Sequence, residues 1–284
     1  MTENNWESTA AWNELLTGLG ELQESFLEGD RAVSTETGVV NGYRMLATIL
    51  GVGLDIYLYP EKSRPVWVDT VTPFRRDRRW GGDNTDAAYA FCVFDPERTY
   101  RIWGRRNDSA YFSVTVYNEP APGSWSDKVI GVVNDSDLTF DADGGFSFYL
   151  GAQKPEGYDG PWIQFTPDTA AALTRDYQAD PLTGTPVAWK IECLDEPEPV
   201  LRSDAATAQA LRSTLSWMRT MFAIVRDTDV SSGPDGDFAF DLGPLPEAAV
   251  LLTRDYQADP LTGRRIAWRI EALDDPDPIA HGTV

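Results

Sequence analysis

Histidine is nearly absent from this chain of 284 residues: His281 is the single one, three residues from the C-terminus. A Ser-His-Asp or Cys-His arrangement, or a histidine-based metal site, would have to rest on a chain end that frays. Cysteine is almost as scarce. Cys92 and Cys193 both fall in predicted strands, too few for a disulfide framework and, with one histidine, too few for zinc. No metal and no cofactor is expected. Basic residues are the minority, 24 Lys and Arg against 45 Asp and Glu, and the net charge of −21 argues against nucleic acid and anionic membranes as partners. The N-terminal stretch MTENNWESTAAWNELL has no basic or apolar leader segment, and no run reaches 18 apolar residues, so a cytoplasmic location is expected. A glycine-rich phosphate loop is also missing, because Gly81-Gly82 alone is too short.

What the chain does have is aromatic and apolar mass: 10 Trp, 11 Tyr, 12 Phe and 42% apolar residues, enough for a sizeable core. Residues 80–118 read as three strands in quick succession, 87–94, 99–104 and 110–117, rich in Tyr, Phe, Val, Ile, Trp and Thr. Their short polar breaks at 95–98 and 105–108 look like hairpin connections, which predicts a meander at the centre of an all-β core. Further strands are expected at 66–68, 128–133, 138–140, 146–150, 162–165, 171–177 and 187–194. Turn signals about every ten residues favour a sandwich or barrel over a parallel sheet. Helices are predicted at 8–28, where Trp12, Leu15, Leu16, Leu19, Leu22 and Phe26 share a face with Ser8 or Thr9 as cap, and at 36–57. A third, at 203–227, carries Leu211, Leu215, Met218, Phe222 and Val225 as one stripe expected to face the sheet, with Ser203 or Asp204 as cap. The expected division is a helical segment 1–64, a β-sandwich domain 65–200, a helix 201–230 and a last unit 231–284.

That last unit contains a duplication. LTRDYQADPLTG occurs at 173–184 and again at 252–263, and 20 of 28 positions match through Val200 and Ile279. Two unequal copies do not make a solenoid. Each is predicted to form strand, turn and strand, either extending one sheet at opposite edges or competing for one place. In strand geometry, Arg175 and Tyr177 point to one face and Thr174 and Asp176 to the other.

The pattern Gly81-Gly-Asp-Asn84-x-Asp86-x-x-Tyr89, then Asp95-Pro-x-Arg-Thr-Tyr100-Arg101-Ile-x-Gly104, then Tyr111-Phe-Ser-x-Thr-x-Tyr117 resembles the bacterial family called domain of unknown function 1214. The resemblance covers about residues 65–200, and its Asn-x-Asp-x-x-Tyr element is also similar to one in the companion domain 1254. It implies a β-sandwich of jelly-roll character without an assigned activity. The C-terminal repeat departs from that pattern.

Carboxylates and arginines carry whatever chemistry there is. Between Arg75 and Arg106 there are eight Arg against five acidic residues, a patch able to receive an anion or to pair with the protein's own acids. Asp83 and Asp86 flank Asn84 ahead of the first central strand. Such acids can divide general acid from base work, and they also form turns. The acidic loops at 141–144 and 235–237 lack the ligand number calcium needs. Candidate ligand-binding residues are Trp80, Asn84, Asp86, Tyr89, Arg101, Arg105, Tyr117, Arg175 and Tyr177, since a strand arginine must meet an acid, a carbonyl, a ligand or water. A salt-bridge network bracing the sheet would use the same residues. The expectation is therefore a mainly β protein with flanking helices, an antiparallel sandwich with an N-terminal helical pair, binding a small organic molecule or glycan. The alternatives are a cofactor-independent hydrolase or lyase using Asp and Arg, and homo-oligomer formation through the repeated hairpins.

Overall fold

The computed structural model describes residues 6–29, 33, 35–72, 74, 75, 77, 78, 80, 87–180, 183–197, 203–226, 229–232 and 238–241. Three helices lie on one face of a two-sheet sandwich. The helices are α1 (Glu7–Gln23), extended by a π-helical turn Glu24–Glu28, α2 (Glu36–Tyr57) and α3 (Asp204–Arg226). The strands are β1 (Val68–Val71), β2 (Ala87–Val93), β3 (Thr99–Arg105), β4 (Ser109–Asn118), β5 (Val129–Asn134), β6 (Gly145–Gly151), β7 (Trp162–Gln164), β8 (Thr169–Gln178) and β9 (Ala188–Cys193). A separate pair, β10 (Asp229–Ser232) and β11 (Phe238–Asp241), follows α3. The second repeat copy, from Leu252 on, lies outside the described residues.

The five-stranded sheet has the order β1-β2-β8-β4-β5 and the four-stranded sheet β7-β6-β3-β9. All their pairs are antiparallel except β6 with β7, which is parallel. This corrects the expected central meander. β2 and β4 lie in one sheet and β3 in the other, so both short breaks are crossings between layers. The inward residues show why. Phe94 at the end of β2 and Tyr100 at the start of β3 are fully buried, with ring centroids 4.8 Å apart, so the chain folds these two rings against each other across the core. The Tyr100 hydroxyl then accepts from the Asp95 amide at 2.9 Å, and Asp95 Oδ1 accepts from the Glu97 amide at 3.0 Å, which fixes the corner.

The first repeat copy is likewise not a hairpin: β8 sits at the centre of the five-stranded sheet, whereas β9 is an edge of the other. The strand expected at 138–140 is absent. A 3-10 turn, Asp135–Asp137, precedes this stretch, and Phe140 packs edge-on against Phe112 and Phe146 without a ladder partner. Between the sheets lie Ile102, Phe112, Val114, Val116, Phe148 and Leu150, all nearly or fully inaccessible, as period-two alternation demands.

The helices form a second core. α1 and α3 run parallel: Glu14 pairs with Arg212 at 2.9 Å and Glu21 with Arg219 at 2.7 Å, one heptad further on both helices. Ala11, Leu15 and Leu22 on α1 meet Ala208, Leu211, Leu215, Met218 and Phe222 on α3, the alternating three-four spacing of a coiled-coil seam. Gly18 completes it, because a Cβ there would fall 2.4 Å from Leu215 Cδ1. The α3 stripe thus faces α1 and α2, not the sheet. The cap expected for α1 at Ser8 or Thr9 also changes. The carboxylate of Asp204, at the start of α3, accepts from the Glu7 amide at 2.8 Å and the Ser8 amide at 3.1 Å, so one helix caps the other. α3 itself is capped by Ser203, whose Oγ accepts from the Ala206 amide at 3.1 Å, and α2 by Thr35, whose Oγ1 accepts from the Gly38 amide at 3.1 Å.

α2 is long and apolar enough by composition to cross a membrane, with 33% of that window buried against the rest of the fold. Polar links among the described residues join α2 to the sandwich. Arg78 is nearly buried and joins Asp55 of α2 to the Asp69 carbonyl of β1. The Tyr57 hydroxyl donates to Glu119 Oε1 at 2.9 Å, and the same oxygen accepts from the Gly123 amide at 2.9 Å. Gly123 has φ +79°, and a Cβ there would fall 2.4 Å from the Ser213 carbonyl, so only glycine lets this loop lie on α3.

Candidate functional site

The nine candidate residues do not form one constellation. Four of them, Tyr89, Tyr117, Arg175 and Tyr177, lie on the helix-side face of the five-stranded sheet, contributed by β2, β4 and β8. Here β8 is the organiser, because as the middle strand it pairs with both β2 and β4. Arg175 Nη1 donates to Thr115 Oγ1 at 2.8 Å and Nη2 to the Tyr117 hydroxyl at 2.9 Å. The Tyr177 and Tyr89 hydroxyls lie 3.4 Å apart, and the Tyr111 and Tyr177 rings 5.8 Å apart. The Tyr111 hydroxyl donates to Asn134 Oδ1 at 2.7 Å. This half-buried face gathers the three candidate tyrosines and Tyr111 around one guanidinium.

The other candidates are elsewhere. Arg101 and Arg105 belong to β3, where Tyr100 and Ile102 point into the core. Their side chains therefore leave the far surface of the four-stranded sheet, across the whole sandwich from Arg175. Arg101 bonds Ser147 Oγ at 3.0 Å and pairs with Glu192 at 3.5 Å, and exposed Arg105 lies 4.0 Å from Asp143. Trp80 is packed into the helix–sheet seam, edge-on to Trp217 at 5.6 Å, with its indole N–H donating to the Thr70 carbonyl at 2.8 Å. Asn84 and Asp86 lie outside the described residues. The chain enters β2 at Ala87, paired with Tyr177.

Asp176 lies on the opposite face of β8 from Arg175, as the strand period predicts, and is not among the candidate residues. It is 2% exposed and lies between the sheets. Its oxygens accept from Gln178 Nε2 at 2.7 Å and from the Val187 amide at 2.7 Å. Burial raises its pKa above the ordinary carboxylate value, opposed by the hydrogen bonds from Ser109, Val187 and Gln178. Beside it is a cavity of about 200 Å³ that Thr174 and Trp189 also line. Thr174 Oγ1 accepts from the Ala90 amide at 2.9 Å. These bonds make Asp176 and Thr174 clamps: one ties β8 to the crossing into β9, the other ties β8 to β2. The signal in the sequence was the alternation Thr-Arg-Asp-Tyr, which puts an acid on a buried face. Tyr111 and Thr115 stand in the Tyr111-Phe-Ser-x-Thr-x-Tyr117 motif, whereas Asn134 carried no local signal, because its contribution comes from cross-strand register.

Residues 85–181 match the model of the family described as "Protein of unknown function (DUF1214)", which bears out the resemblance carried by the motifs from Asp86 to Tyr117. An uncharacterized protein from Burkholderia cenocepacia, known from its crystal structure, is similar in fold. It has 23% identity and a TM-score of 0.66, over 76% of this chain and 59% of that one. The chain therefore spans less than two thirds of that relative's length. The VPA0106 protein from Vibrio parahaemolyticus has 15% identity over 62% of this chain and 52% of its own, with a TM-score of 0.31, too low to carry an argument. No curated protein matches the chain.

Proposed function

We propose that the protein binds a small organic molecule bearing an anionic group, such as a carboxylate, on the tyrosine face around Arg175. The observation that carries this is the set of Arg175 partners: two neutral hydroxyls, on Thr115 and Tyr117, and no carboxylate among the described residues. A half-buried guanidinium held in place by hydroxyls is oriented without being neutralised, and its planar donors match a carboxylate. The rings of Tyr111 and Tyr177 supply apolar walls with polar tips, which suits a small ligand better than a flat partner. Asn84 and Asp86, three residues and one residue ahead of β2, belong to this reading by their place in the sequence. A cytoplasmic location belongs to it as well, supported by two free cysteines.

The experiment is a thermal-shift screen of the full chain against organic acids, repeated on Arg175→Ala. A ligand at one hundred times its dissociation constant adds about 2.7 kcal/mol of stability. Stabilisation by an acid that vanishes in Arg175→Ala is the expected result. A blank with every acid, or a shift that survives Arg175→Ala, overturns the proposal.

A further inference from the structure

The far surface of the four-stranded sheet carries a second arrangement that the Arg175 face does not use. Strand register sets Trp162 of β7 beside Tyr149 of β6, Tyr149 beside Arg101 of β3, and Arg101 beside Glu192 of β9. Neighbouring strands lie about 4.8 Å apart, so this row is about 15 Å long. All four side chains leave the sheet on the same side, because Ile163, Phe148, Leu150, Tyr100 and Ile102 take the inner positions. Tyr158 widens the row, its ring edge-on to Tyr149 at 4.6 Å, and Trp103 lies beneath the Arg101 guanidinium at 5.1 Å. The helices pack on the other sheet, so no helix among the described residues covers this surface.

Two residues along β7 from Trp162, Gln164 lines a groove of about 360 Å³ together with Glu97, Thr166 and the prolines Pro96 and Pro167. Gln164 joins the two. Its Oε1 accepts from the Trp162 indole N–H at 3.3 Å, and its Nε2 donates to the Ala152 carbonyl at 2.8 Å, which anchors the indole at the mouth of the groove.

We propose that this surface is a binding site for a neutral oligosaccharide, lying along Arg101, Tyr149 and Trp162 and ending in the groove. A sugar ring offers an apolar C–H face that stacks on an aromatic ring, and an equatorial rim of hydroxyls that bonds to planar polar groups. Alternating aromatic and amide, guanidinium or carboxylate side chains supply both. Charge favours a neutral partner: Arg101 is matched by Glu192 at 3.5 Å and Arg105 lies 4.0 Å from Asp143. Of the other cations at this surface, Lys154 lies over the Tyr158 ring at 5.9 Å and Lys190 stands opposite Trp103, and the chain as a whole carries −21. A polyanion such as single-stranded nucleic acid would need an excess of basic residues here.

The test is calorimetric titration of the full chain with neutral gluco-, xylo-, manno- and chito-oligosaccharides of increasing length, with polygalacturonate and single-stranded DNA as polyanions. The proposal expects at least one neutral series to bind, with affinity rising with length. Trp162→Ala should weaken that binding by about tenfold or more, as loss of a central aromatic contact does. Glu192→Gln, a change at an exposed position, should weaken it less, and Arg175→Ala should leave it unchanged. No binding in any neutral series, binding confined to the polyanions, or neutral binding that survives both Trp162→Ala and Glu192→Gln overturns it. Because Arg175→Ala is the control here and the decisive variant for the acid site, the two sites fail independently.

Discussion

Arg175 and Tyr117 meet diagonally across the two most extensively paired strands, with Nη2 donating to the phenol oxygen at 2.9 Å. Because Arg175 pairs in register with Ser113, and Tyr117 with Ala171, the guanidinium reaches two rows along β4 to find its partner. Tyr117→Phe removes one hydrogen bond to a charged group on a half-buried face. A loss of about 1.5 kcal/mol in unfolding free energy is expected from denaturant titration. An organic acid bound at Arg175 should also be held less tightly, because the guanidinium would lose one of its two anchors.

Asp176 gives stability a pH dependence of definite sign. Its folded-state pKa lies above the ordinary value of 3.8, chiefly through burial. The folded protein therefore holds this proton more tightly than the unfolded chain. The associated stabilisation is complete below pH 3.8 and is lost as pH rises through the elevated value. Asp176→Asn carries no titrating group there. Denaturant midpoints of wild type relative to Asp176→Asn should accordingly move in favour of wild type as pH falls from 7 towards 4. A difference that stays flat, or moves the other way, would remove the case for a buried, raised carboxyl.

Asp204 works in the opposite direction. Its carboxyl is held below the ordinary range, first by the Ser8 hydroxyl and then by the amides of Ser8 and Glu7. Its contribution is present above pH 3.8 and lost as pH falls through the lowered value. Asp204→Ala should lower the melting temperature at pH 7, and the gap from wild type should close in strong acid. α1 should show the earliest loss of amide protection, because its first turn has no cap of its own.

The two repeat copies differ most tellingly just upstream of their identical core. Ala171 and Ala172 of β8 are 6% and 0% exposed, and the aligned positions of the second copy are Val250 and Leu251. Ala172→Leu inserts three heavy atoms into the packed space between the sheets and should cost about 1–3 kcal/mol. Measuring that cost tests whether the second copy is a poor substitute for the first. A neutral substitution would mean that β8 accepts either sequence.

Local pattern was enough to place most elements. α2 was legible to the residue, its apolar run ending just before Tyr59-Pro60, which breaks a helix; its cap, Thr35, is a finding of the structure. β2, β3, β4 and β8 agree with expectation within two residues at each end, because alternation and β-branched composition are properties of a short window. Arg175 and Tyr177 on one face, with Thr174 and Asp176 on the other, followed from the strand period alone. The strand at 138–140 was misread because Leu138 and Phe140 are apolar. They pack on the core from a stretch that has no ladder partner, which composition does not distinguish from a strand.

By itself, then, the sequence determined most of the segments that are helix or strand, which side chains of each strand share a face, and the family to which residues 85–181 correspond. The tertiary structure decided which strands are neighbours. That choice split the expected site, sending Arg101 and Arg105 to one surface and Arg175, Tyr117, Tyr177 and Tyr89 to the other. The reason is physical. Strand pairing and ring contacts such as Phe94 with Tyr100 are made between residues that the chain brings together only when the whole core closes, and no short window of sequence holds that information.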